Sequence, residues 1–220
     1  MTPHAAFYTN AGGAPVSRFR PLLVADADEV LLGFAAGFSR FLEARGLHLD
    51  LVSYRLHGNV RRNDDRTALL DIEVSVLLDE FREDLDWLEP ISGAREVLTG
   101  LAPRLDVVVL SNVTAAQAPA RLRNLERLGL PYPLVINAGL KGEAVKALSR
   151  RAGRPVFFVD DIPQHHQSVA QAAPHVHRIH FIGDDRLKPL LPPAEHAHIS
   201  ADNWAEIGAF VGARLDESGF

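Results

Sequence analysis

The sequence predicts an α/β protein, a parallel sheet wound with helices on both faces and interrupted early by a helical insert. Three observations carry this expectation. Short apolar runs recur at Leu22 to Ala25, Leu105 to Leu110, Leu134 to Ile136 and Pro155 to Val159, and strands of parallel sheets, which are covered on both faces, read this way; His177 to Ile182 adds a fifth, alternating strand. Between them lie stretches with apolar residues at three- and four-residue steps, the spacing of a helix with one buried stripe. From Leu47 to about Glu89 nothing reads as a buried strand.

The elements follow in order. Residues 1–20 contain His4, Asn10, Gly12, Gly13, Arg18 and Arg20 and read as a flexible tail. The run Leu22-Leu23-Val24-Ala25 stops at Asp26-Ala27-Asp28, and Val30, Leu31, Phe34, Phe38, Phe41 and Leu42 then keep helical spacing to about Gly46. Leu69, Leu70, Ile72, Val76, Leu77, Phe81, Leu85 and Leu88 continue it, which makes 31–89 an all-helical insert. Pro90-Ile91-Ser92-Gly93 marks the return to the core. Strands alternating with helices then complete a core of residues 21–30 and 90–220. Trp204, Ile207, Phe210 and Val211 place one face of a last helix against it.

Composition narrows the function. The 220 residues carry 23 Lys and Arg against 28 Asp and Glu, a net charge of −5, so no basic footprint for nucleic acid is present. The absence of Cys removes disulfides, thiolate nucleophiles and cysteine metal sites together. No apolar stretch approaches the roughly 20 residues that span a bilayer, and the first twenty lack the apolar core of a signal peptide. A cytoplasmic protein that acts on a small molecule, with no nucleic-acid or membrane partner, is the resulting expectation. The oligomeric state is not legible.

The chemistry lies at the strand ends. Asp26 and Asp28 end the first strand, Ser111 and Asn112 the second, and Asp160 and Asp161 a later one, while Lys141 opens a helix nearby. In a parallel sheet these ends share one rim, where ligands bind. Several carboxylates around one point call for a hard divalent cation, and all-oxygen donors favour Mg²⁺. Such an ion completes its shell with water and a substrate phosphate. Ser111, the backbone beside it and the Lys141 ammonium suit the remaining phosphoryl oxygens.

The order Asp26-Ala27-Asp28-Glu29-Val30 after one strand, Leu110-Ser111-Asn112 after a second, a later lysine and a final Val159-Asp160-Asp161 resembles the haloacid dehalogenase superfamily over residues 22 to about 170. The resemblance implies a Rossmann-like three-layer core with a helical cap at the position of the insert. It implies a phosphatase in which Asp26 attacks phosphorus and Asp28 serves as acid and then base. Ser111, Asn112 and Lys141 would hold the phosphoryl group. Asp26, the Asp28 carbonyl, and Asp160 or Asp161 would hold Mg²⁺. Gly142 stands after the lysine where many relatives carry proline, and Lys146 lies one turn on, leaving two candidates for that lysine.

Other readings use the same residues. A dehalogenase of this family lacks the second aspartate, so Asp28 argues against it. Phosphonate cleavage, or a silent binding protein of the same fold, would keep the set. A receiver domain needs its acid pair first and its lysine after the accepting aspartate, and the order here excludes it. The late histidines, His165, His166, His175, His177, His180, His196 and His198, have no zinc-type spacing, and His165 alone lies near the Asp160-Asp161 pair. Arg55, His57, Arg61, Arg62 and Arg66 read as a charged outer face of the insert.

Overall fold

In the computed structural model, which describes residues 7–220, the strands are β1 (Tyr8–Thr9), β2 (Leu22–Ala25), β3 (Leu47–Leu49), β4 (Val60–Arg62), β5 (Asp106–Ser111), β6 (Leu134–Ile136), β7 (Val156–Asp160), β8 (His177–His180) and β9 (Ile199–Ser200). The helices are α1 (Phe34–Glu43), α2 (Asp71–Glu83), α3 (Ala94–Leu101), α4 (Ala118–Arg127), α5 (Gly142–Ser149), α6 (Pro163–Ala172) and α7 (Trp204–Glu217). Seven strands form one sheet in the order β1-β6-β5-β2-β7-β8-β9, and every pairing in it is parallel. The predicted fold class is the observed one.

Alternation along the strands divides the core into two layers. Leu23, Ala25, Val107, Val109, Phe157 and Val159 face one side, where Leu98 of α3, Leu125 of α4 and Ile207 and Val211 of α7 cover them. Leu22, Val24, Val108, Leu110, Val156 and Phe158 face the other, under Val145 and Leu148 of α5 and Val169 of α6. A single-residue register slip in β2 would exchange these sets.

Gly142 now has a reason. A Cβ there would lie 2.4 Å from both the carbonyl oxygen and Oγ of Ser168, and its N–H donates to that Oγ at 2.9 Å. The close approach of α5 to α6 therefore requires glycine at the position after Lys141.

The segment expected to be a flexible tail is corrected in part. Residues 1–6 lie outside the described residues, but Tyr8 and Thr9 pair with Leu134 and Val135 at the sheet edge. Ser17 N–H and Arg20 Nε both donate to Asp106, at 2.8 and 2.7 Å. Two residues of edge strand carry too little periodicity to be read, and their anchors lie far along the chain.

The insert is corrected as well. It is not all helical, because β3 and β4 form an antiparallel ribbon within it. The ribbon is three residues long and interleaves charge in Val60-Arg61-Arg62, which hid it. Helix α1 starts at Phe34, not Val30. The chain after Asp26 first turns back on itself, with the N–H groups of Leu31 and Leu32 both donating to the Ala27 carbonyl at 3.0 and 2.9 Å. The phenyl ring of Phe81 on α2 packs edge-on to Phe34, Phe38 and Phe41, at 5.2 to 5.3 Å between centroids, and such pairs lock two helices together. The insert enters and leaves the core through a clasp, where Gly33 N–H donates to Glu89 O at 3.0 Å and Ile91 N–H to Leu31 O at 2.8 Å.

Candidate active site

Strands β5, β2 and β7 are neighbours, and Ala25 lies level with Val109 on one side and Val159 on the other. Their carboxyl ends therefore release Ser111, Asp26 and Asp160 side by side. Asp26 N–H still donates to Val159 O at 2.9 Å, so the ladder fixes the backbone of that aspartate.

Lys141, at the start of α5, reaches between these ends. Its Nζ lies 2.6 Å from Asp26 Oδ1 and 2.7 Å from Asp160 Oδ2, and the side chain is only 1% exposed. The alternative lysine is elsewhere, since Lys146 pairs with Glu143 at 3.1 Å on the outer face of α5. The second Asp160 oxygen accepts from Ile162 N–H and faces His165 Nδ1, each at 2.9 Å. Both oxygens of Asp160 are thus engaged by protein.

Asp161 differs. One oxygen accepts from the Tyr54 hydroxyl, whereas Oδ1 is buried with no partner. Asp26, Asp160 and Asp161 each offer an oxygen, all within 4.8 Å of one another. Three carboxylates against one ammonium leave two negative charges uncompensated, which matches one divalent ion, and all-oxygen donors suit Mg²⁺. The electrostatics carry the same strain. Burial, then Asp160 and Asp28, outweigh the pull of Lys141 and push Asp26 up to about 6. Burial, then Asp160 and Asp26, raise Asp161 well above the carboxylate range. Burial acts against Asp160 too, but Lys141 and His165 hold it well below.

Asp28 stands apart from this trio. Its carboxylate meets Arg121 of α4, with Nη2 2.7 Å from Oδ1 and 2.9 Å from Oδ2, and the Arg121 side chain is 2% exposed. Asn112 braces a loop, donating to Gly139 O at 3.0 Å and accepting from Asn137 at 2.7 Å. His166 and His180 face the backbone carbonyls of Asp160 and Asp161 at 2.9 and 3.0 Å, so these histidines brace the strand end. Among the described residues the one cluster suited to a metal is the aspartate trio. Arg61 and Arg62 pair with Asp50 and Glu73 within the insert, as a charged outer face requires.

Asp26 and Asp161 open into a cavity of about 510 Å³ between core and insert. Phe34, Leu56 and Leu85 supply apolar wall from the insert, and Asp28, Ser111 and Arg121 line the core side. Tyr54, Arg121 and Glu29 were not singled out from the sequence. Glu29 has φ +57, uncommon for a residue with a side chain. One of its oxygens accepts from Ala35 N–H at 2.6 Å, while Oε2 is buried without a partner. Burial, with Asp184 and Asp28 nearby, pushes its carboxyl up to about 8 against the pull of the Ala35 amide and Arg186. The folded protein therefore binds this proton more tightly than the unfolded chain, and stability drains away as pH rises from the unfolded value of 4.5 toward 8. Glu29→Gln keeps the acceptor for Ala35 and removes the charge. Its stability relative to wild type should rise between pH 5 and pH 8.5, by on the order of 2 kcal/mol, as read by urea denaturation at both pH values. A constant difference would refute the assignment.

No family model and no curated protein matches the chain. Solved structures do. A haloacid dehalogenase-like protein of unknown function from Agrobacterium tumefaciens superposes with a TM-score of 0.59 at 18% identity, covering 88% of this chain and 98% of its own. The chain has the haloacid dehalogenase-like fold. A hydrolase of that superfamily, subfamily IA, from Geobacter sulfurreducens matches at 0.55 and 19% identity, over 93% of this chain and 100% of its own. A haloacid dehalogenase-like protein of Bacillus subtilis, bound to magnesium, matches at 0.54 and 12%, over 88% and 99%. In the haloacid dehalogenase-like fold of this chain the aspartate trio lies at the carboxyl rim of the sheet. No helix among the described residues is long and apolar enough to cross a membrane.

Proposed function

We propose that the protein is a Mg²⁺-dependent phosphatase that hydrolyses a small phosphorylated metabolite through Asp26, with residues 21–30 and 90–220 as catalytic core and 31–89 as cap. The observation that carries this reading is the Asp26 carboxylate, held at 2.6 Å by a buried lysine on the wall of a cavity wide enough for a small organic phosphate.

Asp26 attacks phosphorus, the ester oxygen leaves, and a carboxyl-phosphate bond forms. Water then cleaves that bond and returns the carboxylate. Asp28 passes a proton to the leaving oxygen and takes one from the water. Arg121 holds Asp28 in place for both transfers. Lys141 orients Asp26, and Ser111 at the end of β5 faces the cavity where the phosphoryl oxygens would sit. Asp26, the Asp28 carbonyl and Asp161 would hold Mg²⁺, which offsets phosphoryl charge when bound. Asp161 is favoured over Asp160 as the direct ligand because Lys141, His165 and Ile162 occupy both Asp160 oxygens. The magnesium-bound neighbour supports that choice of metal.

The cavity walls contain apolar surface and one cap cation, Arg82, whose nearest carboxylate is Asp79 at 3.6 Å. Small phosphate esters with a partly apolar leaving group that carries an anionic substituent for Arg82 fit this lining. The test is phosphate release from a panel of aryl, sugar and carboxylate-bearing phosphate esters, with Mg²⁺ and with chelator. Release that requires Mg²⁺ and falls at least about tenfold in Asp161→Asn at limiting metal is expected. Release unaffected by chelator, or none from any ester, would overturn the reading.

A further inference from the structure

Tyr54 is the place where the cap touches the carboxylate trio. It lies in the loop between β3 and β4, on the insert, yet its hydroxyl donates to Asp161 on the core, 107 residues away. The loop around it is built for this presentation. Asn59, 2% exposed, donates through Nδ2 to the carbonyls of Ser53 and Arg55 at 2.8 and 2.6 Å, gripping the residues on either side of Tyr54. Asp50 N–H closes the loop on Asn59 O at 2.7 Å. The Tyr54 ring packs with a small apolar cluster made from both halves of the molecule, Ala35 on α1 and Ile182 and Leu187 on the core. Ring and hydroxyl thus have separate partners.

The hydroxyl takes one Asp161 oxygen, Oδ1 is buried with no partner, and Asp161 offers an oxygen within 4.8 Å of one from Asp26 and one from Asp160. We propose that Tyr54 is a positioning residue for the metal, its hydroxyl fixing Asp161 so that cation binding in the core and seating of the 50–59 loop of the cap strengthen one another. Two sites that share one contact are linked reciprocally. What the loop contributes to metal affinity, the metal returns to the loop. Groups that orient a ligand from behind are worth about 10- to 100-fold in metal affinity. The inference rests on the phosphatase reading above only in taking the trio to bind a divalent cation.

The variant Tyr54→Phe keeps the ring and its packing and deletes the single donor. Mg²⁺ is titrated calorimetrically into wild type and variant, and amide hydrogen exchange of residues 50–59 is followed with and without the ion. Wild type should bind Mg²⁺ and slow exchange in the loop. The variant should bind at least about tenfold more weakly, with most of the added protection lost, while it remains folded in the absence of metal with a melting midpoint lowered only by the loss of one buried hydrogen bond. Equal affinity and equal protection in both proteins would overturn the role of Tyr54 while leaving the phosphatase reading intact. Tighter binding by the variant would also overturn it, because the hydroxyl would then be a competitor of the ion. Failure of wild type to bind Mg²⁺ would bring down both.

Discussion

Asp26→Asn removes hydrolysis of every phosphate ester that the wild type turns over, by at least about 10⁴-fold, while the thermal midpoint stays within a few degrees of wild type or rises. The loss follows from chemistry. An amide oxygen does not form a stable acyl phosphate, and removing a group that forms the covalent intermediate takes away the step itself. The retained stability follows from geometry. Asparagine has the same shape, and its carbonyl still accepts from Lys141 Nζ, which lies 2.6 Å away in the wild type. Burial and the neighbouring Asp160 and Asp28 already push the ionised Asp26 up to about 6, so at neutral pH the substitution relieves repulsion. Phosphate release and a thermal melt on one preparation check both halves. Turnover within tenfold of wild type would refute the nucleophile, and a midpoint lowered by tens of degrees would refute the electrostatic account.

Lys141→Met should cost more than any other single replacement at the site, on the order of 3–5 kcal/mol of stability together with all detectable activity. Methionine fills the space of the lysine stem, so the penalty is electrostatic. Asp160, fully buried, and Asp26 are left with no ammonium at 2.7 and 2.6 Å. A buried carboxylate stripped of its partner is destabilising even where the pair itself contributed little. The companion variant Lys141→Met with Asp160→Asn separates this cause from poor packing, because it removes one of the stranded charges. If charge is the cause, the second substitution restores part of the loss, and the double-mutant cycle shows coupling of about 1 kcal/mol or more. Urea denaturation of the four proteins at pH 7 measures it. Additive losses would place the penalty in packing.

The carboxylate trio was legible because each of its members ends, or lies beside the end of, an apolar run, and a parallel sheet brings such ends to one rim whatever their separation along the chain. Lys141 was legible by position, though only its 2.6 and 2.7 Å contacts set it apart from Lys146. The groups that complete the site were not. Arg121 sits in an ordinary amphipathic helix, and nothing in Arg121-Leu122-Arg123 says which arginine turns inward to Asp28. Tyr54 lies in a loop with no period to read. Glu29 carries no pattern that separates it from the acids beside it, and its φ of +57 has no signature in residue type. Strands of two and three residues failed for a related reason, since Tyr8–Thr9 and Leu47–Leu49 are too short for alternation to show. What the sequence hides here are pairings across the fold, decided by tertiary geometry and not by local pattern.

The clasp between Leu31–Gly33 and Glu89–Ile91 bears on how the chain reaches its native state. Leu22 of β2 and Asp106 of β5 are register partners with the whole insert strung between them, and bringing distant segments together costs entropy that grows with the logarithm of the intervening length. Once the excursion is pinned at its two ends, the polymer that must be ordered to zip those strands shrinks to residues 23–30 and 92–105 on the core side of the pin. An early-forming insert would thus act as a knot that shortens the search, and the central pairing of the sheet would form at a rate set by the core's own topology.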